Sequence, residues 1–175
     1  MQKNTARPLA IGLTVLGALA RMTQHWNYAP VGAISLFAGA RLRGWQAYAL
    51  PIVLMAVTDP LLGGYSFATP FIYASFLINV WLGSRLRSTE QPGWIAGAAI
   101  LGSAQFFLIS NMGTWLQPAG LYPHTLSGLG ACLAAAIPFF RHTLISDVFY
   151  SAVFFGLHAL LSRTVVRSER VAVAA

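Results

Sequence analysis

The chain has 175 residues, a formal net charge of +7, and 57% hydrophobic residues against 9% charged. Water-soluble domains carry about a quarter charged residues, so this composition, with a mean hydropathy of +0.64, excludes an ordinary soluble surface and points to an integral membrane protein. The length suits one helical domain with no room for a second, soluble one. The basic residues stand as short punctuation between apolar runs instead of forming a basic, aromatic-bearing face, which argues against a nucleic-acid partner.

In chain order, apolar runs fall at 8–23, 30–42, 45–62, 70–86, 93–112, 126–140 and 143–162. The opening "MQKNTARPLAIGLTVLGALARM" has a basic start and an apolar centre, and it continues as a spanning segment rather than ending as a cleavable signal peptide. After it comes "HWNYAPVG", where Pro30 suits the first turn of the next helix and Asn27 is the expected cap. A straight span needs about 20 residues, so the runs at 30–42 and 126–140 are short. The first is expected to cross by recruiting Tyr28, Ala29 and residues up to Arg43. The second is expected to be a short re-entrant or interfacial helix. Gly, Ala and Ser occur throughout most runs and permit close helix packing.

Charge placement orients these segments. With the N-terminus cytoplasmic and 126–140 not crossing, Lys3, Arg7, Arg41, Arg43, Arg85, Arg87, Arg163, Arg167 and Arg170 share the inner side. Only Arg21 and Arg141 remain outside, as the positive-inside bias favours. The expected fold is therefore an all-α integral membrane protein, a compact bundle of six transmembrane helices plus the short 126–140 helix, with both termini cytoplasmic. Residues 1–7 form a cytoplasmic start, 8–163 a single polytopic membrane domain and 164–175 a cytoplasmic tail. A bacterial inner membrane is the expected location, with lipid as the surrounding partner.

This topology places three loops outside: "TQHWNYAP", "TDPLLGGYSFATP" and "SNMGTWLQPAGLYPHTLSG". The substrate-binding candidates lie in or beside them: His25, Trp26, Asn27, Tyr28, Asp59, Tyr65, Asn111, Trp115, Tyr122 and His124. Tryptophan and tyrosine gather at membrane interfaces for physical reasons alone. Their coincidence with hydrogen-bonding side chains in all three loops is what suggests a small-molecule pocket. Buried acids need partners, so Arg21–Asp59 and Arg141–Asp147 pairs are expected. Cys132, alone in an alanine-rich run, reads as a packing residue and excludes an internal disulfide or multi-cysteine metal cluster. Neither an H-E-x-x-H helix nor a G-x-S-x-G elbow occurs. No cofactor, metal or covalent chemistry is expected.

The segments "NYAPVGAISLFAGA", "LPIVLMAVTDPLLG", "FLISNMGTWLQ" and "YPHTLSGLGACLAAAIPFFRHTLISDVFYSAVFFG", spanning about residues 20–156, resemble a bacterial inner-membrane family known only as a domain of unknown function. Position by position, that likeness marks Asn27, Pro30, Asp59, Asn111, Trp115, Tyr122, Pro123, Thr125, Gly128, Pro138 and Asp147. The family is in turn similar to the S-components of energy-coupling-factor vitamin transporters. The resemblance implies six helices, cytoplasmic termini, and a vitamin or metal ion bound through the loops after the first, third and fifth helices. It also implies an alanine-rich docking stripe on the first helix for an energy-coupling ATPase module, here Ala10, Thr14 and Ala18. The expected function is capture of a small, vitamin-like solute outside, with cobalamin one candidate, and its movement inward. Gly63, Gly64 and Gly120 are candidate hinges. The alternative is a structural or assembly membrane protein that binds another protein through its outer loops.

Overall fold

A computed structural model describes residues 3–22 and 29–174, and within them the side chains of 7–17, 19–22 and 29–164. The described residues form α1 (Lys3–Arg21), α2 (Val31–Arg41), α3 (Trp45–Thr58), α4 (Thr69–Ser84), α5 (Pro92–Trp115) and α6 (Leu126–Ala174), with a 3-10 turn at Asp59–Leu61 and no strand. Pro60 accounts for the turn: it cannot continue the hydrogen-bond ladder of α3. Gly63 and Gly64 follow with φ of 131° and 82°, backbone that side-chain-bearing residues rarely adopt.

One expectation is corrected. Residues 126–140 are not a separate re-entrant or interfacial helix, because α6 runs unbroken for 49 residues through Pro138. The Arg141–His142 pair looks like a boundary in the sequence, but charge does not break a helix, and no glycine or proline stands there. The same helix continues past residue 163, through most of the segment expected as a tail.

Helices consecutive in the chain alternate in direction, so α2 and α4 run parallel: Val31 packs with Phe76 near their starts, and the chain leaving α4 brings Arg87 to the end of α2. Midway, Gly39 lies against the Val80 carbonyl and Gly83 against that of Leu36. Phe76 stacks on Phe106 between α4 and α5. Ser103 meets Asp147 between α5 and α6, while Phe107 meets Phe140 further along. At the centre is α2, whose residues Val31 to Ala40 are all buried. Its 11 residues span about 16 Å, roughly half a bilayer core. The reciprocal glycines bring its backbone against that of α4. A Cβ on Gly39 would sit 2.0 Å from the Val80 carbonyl oxygen, and one on Gly83 would sit 1.9 Å from that of Leu36.

Both ends of α2 are held by side chains from elsewhere in the fold, one of them in the turn after α4. At the C-terminal end, Arg87 donates from Nε to Gly39 O at 3.2 Å and from Nη2 to Leu42 O at 3.3 Å. The opposite end meets an acid of α6, described below. These charges oppose the helix dipole in the favourable sense.

The bundle buries polar side chains beside an apolar core of Leu36, Phe37, Val80, Phe154 and Phe155 and leaves many large apolar side chains outside. Ser35, Ser75, Asn79, Ser103, Ser146, Asp147 and Ser151 are buried, while Trp45, Trp94, Ile145, Phe149 and Leu160 are more than half exposed. Each such apolar side chain left in water forgoes about 1.5–3 kcal/mol of burial. Two helical stretches, Pro92–Trp115 and Leu126–Thr164, are long and apolar enough to cross a membrane, and only 22% and 33% of their most apolar windows are buried.

Gly39→Ala and Gly83→Ala are expected to force α2 and α4 apart and to cost about 1–3 kcal/mol each. Gly97→Ala, whose new Cβ meets nothing, is expected to stabilise α5 by about 0.5–1 kcal/mol. Thermal unfolding in detergent measures both effects.

Candidate functional site

A cavity of about 420 Å³ lies where α1, α3 and α5 finish and α2 and α4 begin, against the first half of α6. Its walls are aromatic: Phe76 from α4, Phe106 and Phe107 from α5, Phe139 and Phe140 from α6. Phe76 and Phe106 stack at 5.2 Å between centroids, and Phe107 and Phe140 are 4.9 Å apart. The polar lining is sparse: Arg21, Ser110, Asn111, Thr143 and Asp147. A mainly apolar, concave site with a few convergent polar groups is the usual construction of a small-molecule pocket.

Asp147 lies at the deep side, where α2 begins. That helix follows Pro30 and has no side-chain cap of its own, so its first N–H groups need acceptors from elsewhere. Asp147 provides one, with Oδ1 accepting from the Ala33 N–H at 3.2 Å. Its Oδ2 accepts from the Ser103 hydroxyl at 2.7 Å. The carboxylate fits because residue 32 is glycine: a Cβ there would fall 2.3 Å from Oδ1. Beside it, Ser146 Oγ donates to Ala29 O at 3.2 Å. The expected Arg141–Asp147 pair does not form. Six positions along one helix amount to about 240° of rotation, which leaves Arg141 exposed while Asp147 is buried.

The other expected ion pair is present. Arg21 Nη2 lies 2.5 Å from Asp59 Oδ1, and Arg21 Nη1 donates to Thr58 Oγ1 at 2.6 Å. Tyr73 donates its hydroxyl to Asp59 Oδ2 at 2.6 Å. The pair ties the end of α1 to the end of α3, and through Tyr73 to α4, at the cavity margin.

The hydroxyl and amide groups of the lining share one property. Ser110 donates to Phe106 O at 2.6 Å, Thr143 to Phe139 O at 3.3 Å, and Asn111 Nδ2 to Phe107 O at 2.7 Å. Each uses donor capacity on the preceding turn of its own helix, leaving its oxygen as an acceptor.

The sequence candidates separate into groups. Asn111 lines the cavity, and Asp59 holds a lining residue. His25, Trp26, Asn27 and Tyr28 lie outside the described residues, although Arg21 and Ala29, which flank that stretch, both line the cavity. Tyr65 is exposed and donates to Ala56 O at 2.7 Å. Trp115 ends α5, Tyr122 and His124 belong to the turn between α5 and α6, and none of the three is brought into the lining. Trp115 Nε1 donates to Pro123 O at 2.9 Å, and its ring meets that of His124 edge-on. In the same turn the Gly128 N–H donates to Thr125 Oγ1 at 3.1 Å, and a Cβ on Gly128 would strike the Pro123 carbonyl. Pro123, Thr125 and Gly128 thus start α6. Cys132 is buried, with its thiol 3.6 Å from Asn111 O.

Sequence reasoning missed the phenylalanines, Ser110 and Thr143 because apolar residues inside a span look like lipid contacts. A signal was available: "FFLIS" at 106–110 and "FFRHT" at 139–143 both pair two phenylalanines with a hydroxyl residue four positions after the first. Ala10 and Thr14 of the proposed docking stripe are fully buried and pack inside this bundle.

Arg21→Met leaves Asp59 buried without its cation and is expected to cost about 3–5 kcal/mol. The double substitution Arg21→Met with Asp59→Leu should be less destabilising than the sum of the two single changes. A double-mutant cycle of unfolding in detergent reads this coupling.

No curated protein and no solved structure matches the chain. The profile of one family, described as a family of unknown function (DUF6580), matches residues 1–170. The match takes in nearly the whole length, and the chain belongs to that family.

Proposed function

We propose that this protein is a membrane-embedded binding and uptake protein that captures a small solute in the cavity between α2, α4, α5 and α6 and passes it inward. The observation that carries the reading is the cavity itself, with aromatic walls, sparse polar lining, and a position at one end of the bundle. A purely structural bundle gains nothing from leaving about 420 Å³ unfilled, because lost packing destabilises in proportion to cavity volume.

In this reading all six helices cross the bacterial inner membrane, with both termini in the cytoplasm. Alternating directions along the chain and the outward-facing apolar side chains support it. So does the charge distribution: Arg7, Arg41, Arg43, Arg85 and Arg87 lie at the end of the bundle opposite the cavity, which positive-inside placement makes the cytoplasmic end. The cavity then faces outward. The short α2 is accommodated because it is enclosed by protein and never meets lipid. S-component-like uptake remains the mechanistic parallel, with an energy-coupling ATPase module as partner. That module would meet a face of α1 other than the one bearing Ala10 and Thr14.

Two measurements test the reading. Cysteines introduced at Gln117 and Glu90, both exposed and on connections at opposite ends, are expected to label from outside and from the cytoplasm respectively. The reverse pattern sinks the outward-facing site. Separately, a panel of small solutes should raise the thermal midpoint of the detergent-solubilised protein, and Ala136→Phe, which fills the cavity, should abolish that shift. A protein that ignores every solute and co-purifies with another membrane protein fits the assembly alternative instead.

A further inference from the structure

We propose that the solute is an organic cation, a small ammonium compound with an apolar body; this rests on the solute-binding reading and assigns the chemistry of the same site. The lining decides by charge and by hydrogen-bond polarity together. Among the described lining residues Arg21 is the one base, and its charge is matched by Asp59 at 2.5 Å. Asp147 is the one carboxyl group among them, and no cation among the described residues pairs with it. Its oxygens meet a backbone N–H and a hydroxyl, at 3.2 and 2.7 Å. With Arg21 matched by Asp59, Asp147 is the group left to gain a counter-charge, and a cation bound beside it favours its ionised form.

The neutral polar groups point the same way. Ser110, Thr143 and Asn111 each spend a donor on a carbonyl one turn back. Ser110 and Thr143 then offer the cavity oxygen, and Asn111 offers an oxygen and one remaining N–H. An ammonium group brings N–H donors and positive charge to these acceptors, whereas a carboxylate or phosphate would depend on Arg21, already matched by Asp59, and on the start of α2, where Asp147 already sits. The walls add a second attraction, since the face of an aromatic ring draws a cation, more strongly when water is excluded. Phe106 and Phe107 come from α5, and Phe139 and Phe140 from α6, so rings from two facing helices flank the site. The same rings accept the apolar part of the ligand.

The test uses the full chain in detergent and three compounds of one shape: phenethylammonium, phenethyl alcohol and phenylacetate. Binding is read from the ligand-dependent thermal midpoint, which rises with occupancy of the folded state. Phenethylammonium is expected to stabilise most and phenylacetate least. Asp147→Asn keeps an acceptor for the Ala33 N–H, lets Ser103 Oγ accept from the new amide while donating to Ala99 O, and removes the charge. It is expected to weaken phenethylammonium about tenfold or more and to leave phenethyl alcohol unchanged. Should that variant fail to fold, Asn111→Leu removes an acceptor without touching α2 and should weaken the ammonium compound selectively. If phenethyl alcohol or phenylacetate stabilises as well as phenethylammonium, and Ala136→Phe removes the effect, the cation assignment is overturned while the solute site stands. If none of the three shifts a protein that melts cooperatively, both readings are overturned.

Discussion

The start of α2 is the constraint on which the rest of this structure depends. A helix buried on every side exposes free N–H groups at its first turn to surroundings that offer no water. Pro30 and the residues after it cannot satisfy them, so the acceptor comes from Asp147, more than a hundred positions away in sequence. Arg87 performs the converse task at the other end. The central helix is therefore held between an acid at its positive pole and a cation at its negative pole, the first from α6 and the second from the turn after α4. Neither α4 nor α6 can slide along α2 without uncovering one pole.

From that follow several choices of small residue. Gly32 leaves room for the carboxylate, and Ser103 supplies its second hydrogen bond. Gly39 and Gly83 let α2 and α4 meet backbone to backbone, so the buried interface is set by main-chain shape more than by side-chain bulk. Serine, asparagine and glycine take interior places beside buried Leu36, Phe37, Phe154 and Phe155, while many other leucines and phenylalanines face outward. In the membrane setting proposed above, lipid tails are as apolar as leucine, so helix association rests on close packing and interhelical hydrogen bonds. The cavity is where that close packing gives way to opposed phenylalanines.

Much of the fold was legible in the sequence because apolar run length and punctuation are local properties. Five runs became helices within a few residues of their expected ends, and Arg21 and Asp59 were identifiable as partners because few charges exist to pair. The break between 126–140 and 143–162 was misread because a charged pair in an apolar chain resembles a loop, while helical geometry is indifferent to it. That error carried into Asp147: a separate helix could have turned Arg141 toward it, and a continuous one cannot. Among the described residues, Asn111 and Asp59 are the sequence candidates that fall in or beside the cavity lining. Its phenylalanines are chemically identical to those facing outward, and only the packing of α4, α5 and α6 distinguishes the two sets. Trp115 and His124 carried conspicuous chemistry, and the turn before α6 engages both.

The unbroken length of α6 has a mechanical consequence. One helix contributes Phe139, Phe140, Thr143 and Asp147 to the cavity, contacts α2 through Phe154 and Phe155, and continues beyond the arginine-bearing end. A rod of 49 residues extends about 73 Å, so a few degrees of tilt at the cavity become several ångströms of travel at its far end. Pro138 removes one rung of the ladder immediately before the two phenylalanines, making the rod most compliant at the cavity wall. Load applied there is divided between bending at the proline and swinging the remainder of the shaft, and the Asp147 tether to α2 sets the fulcrum.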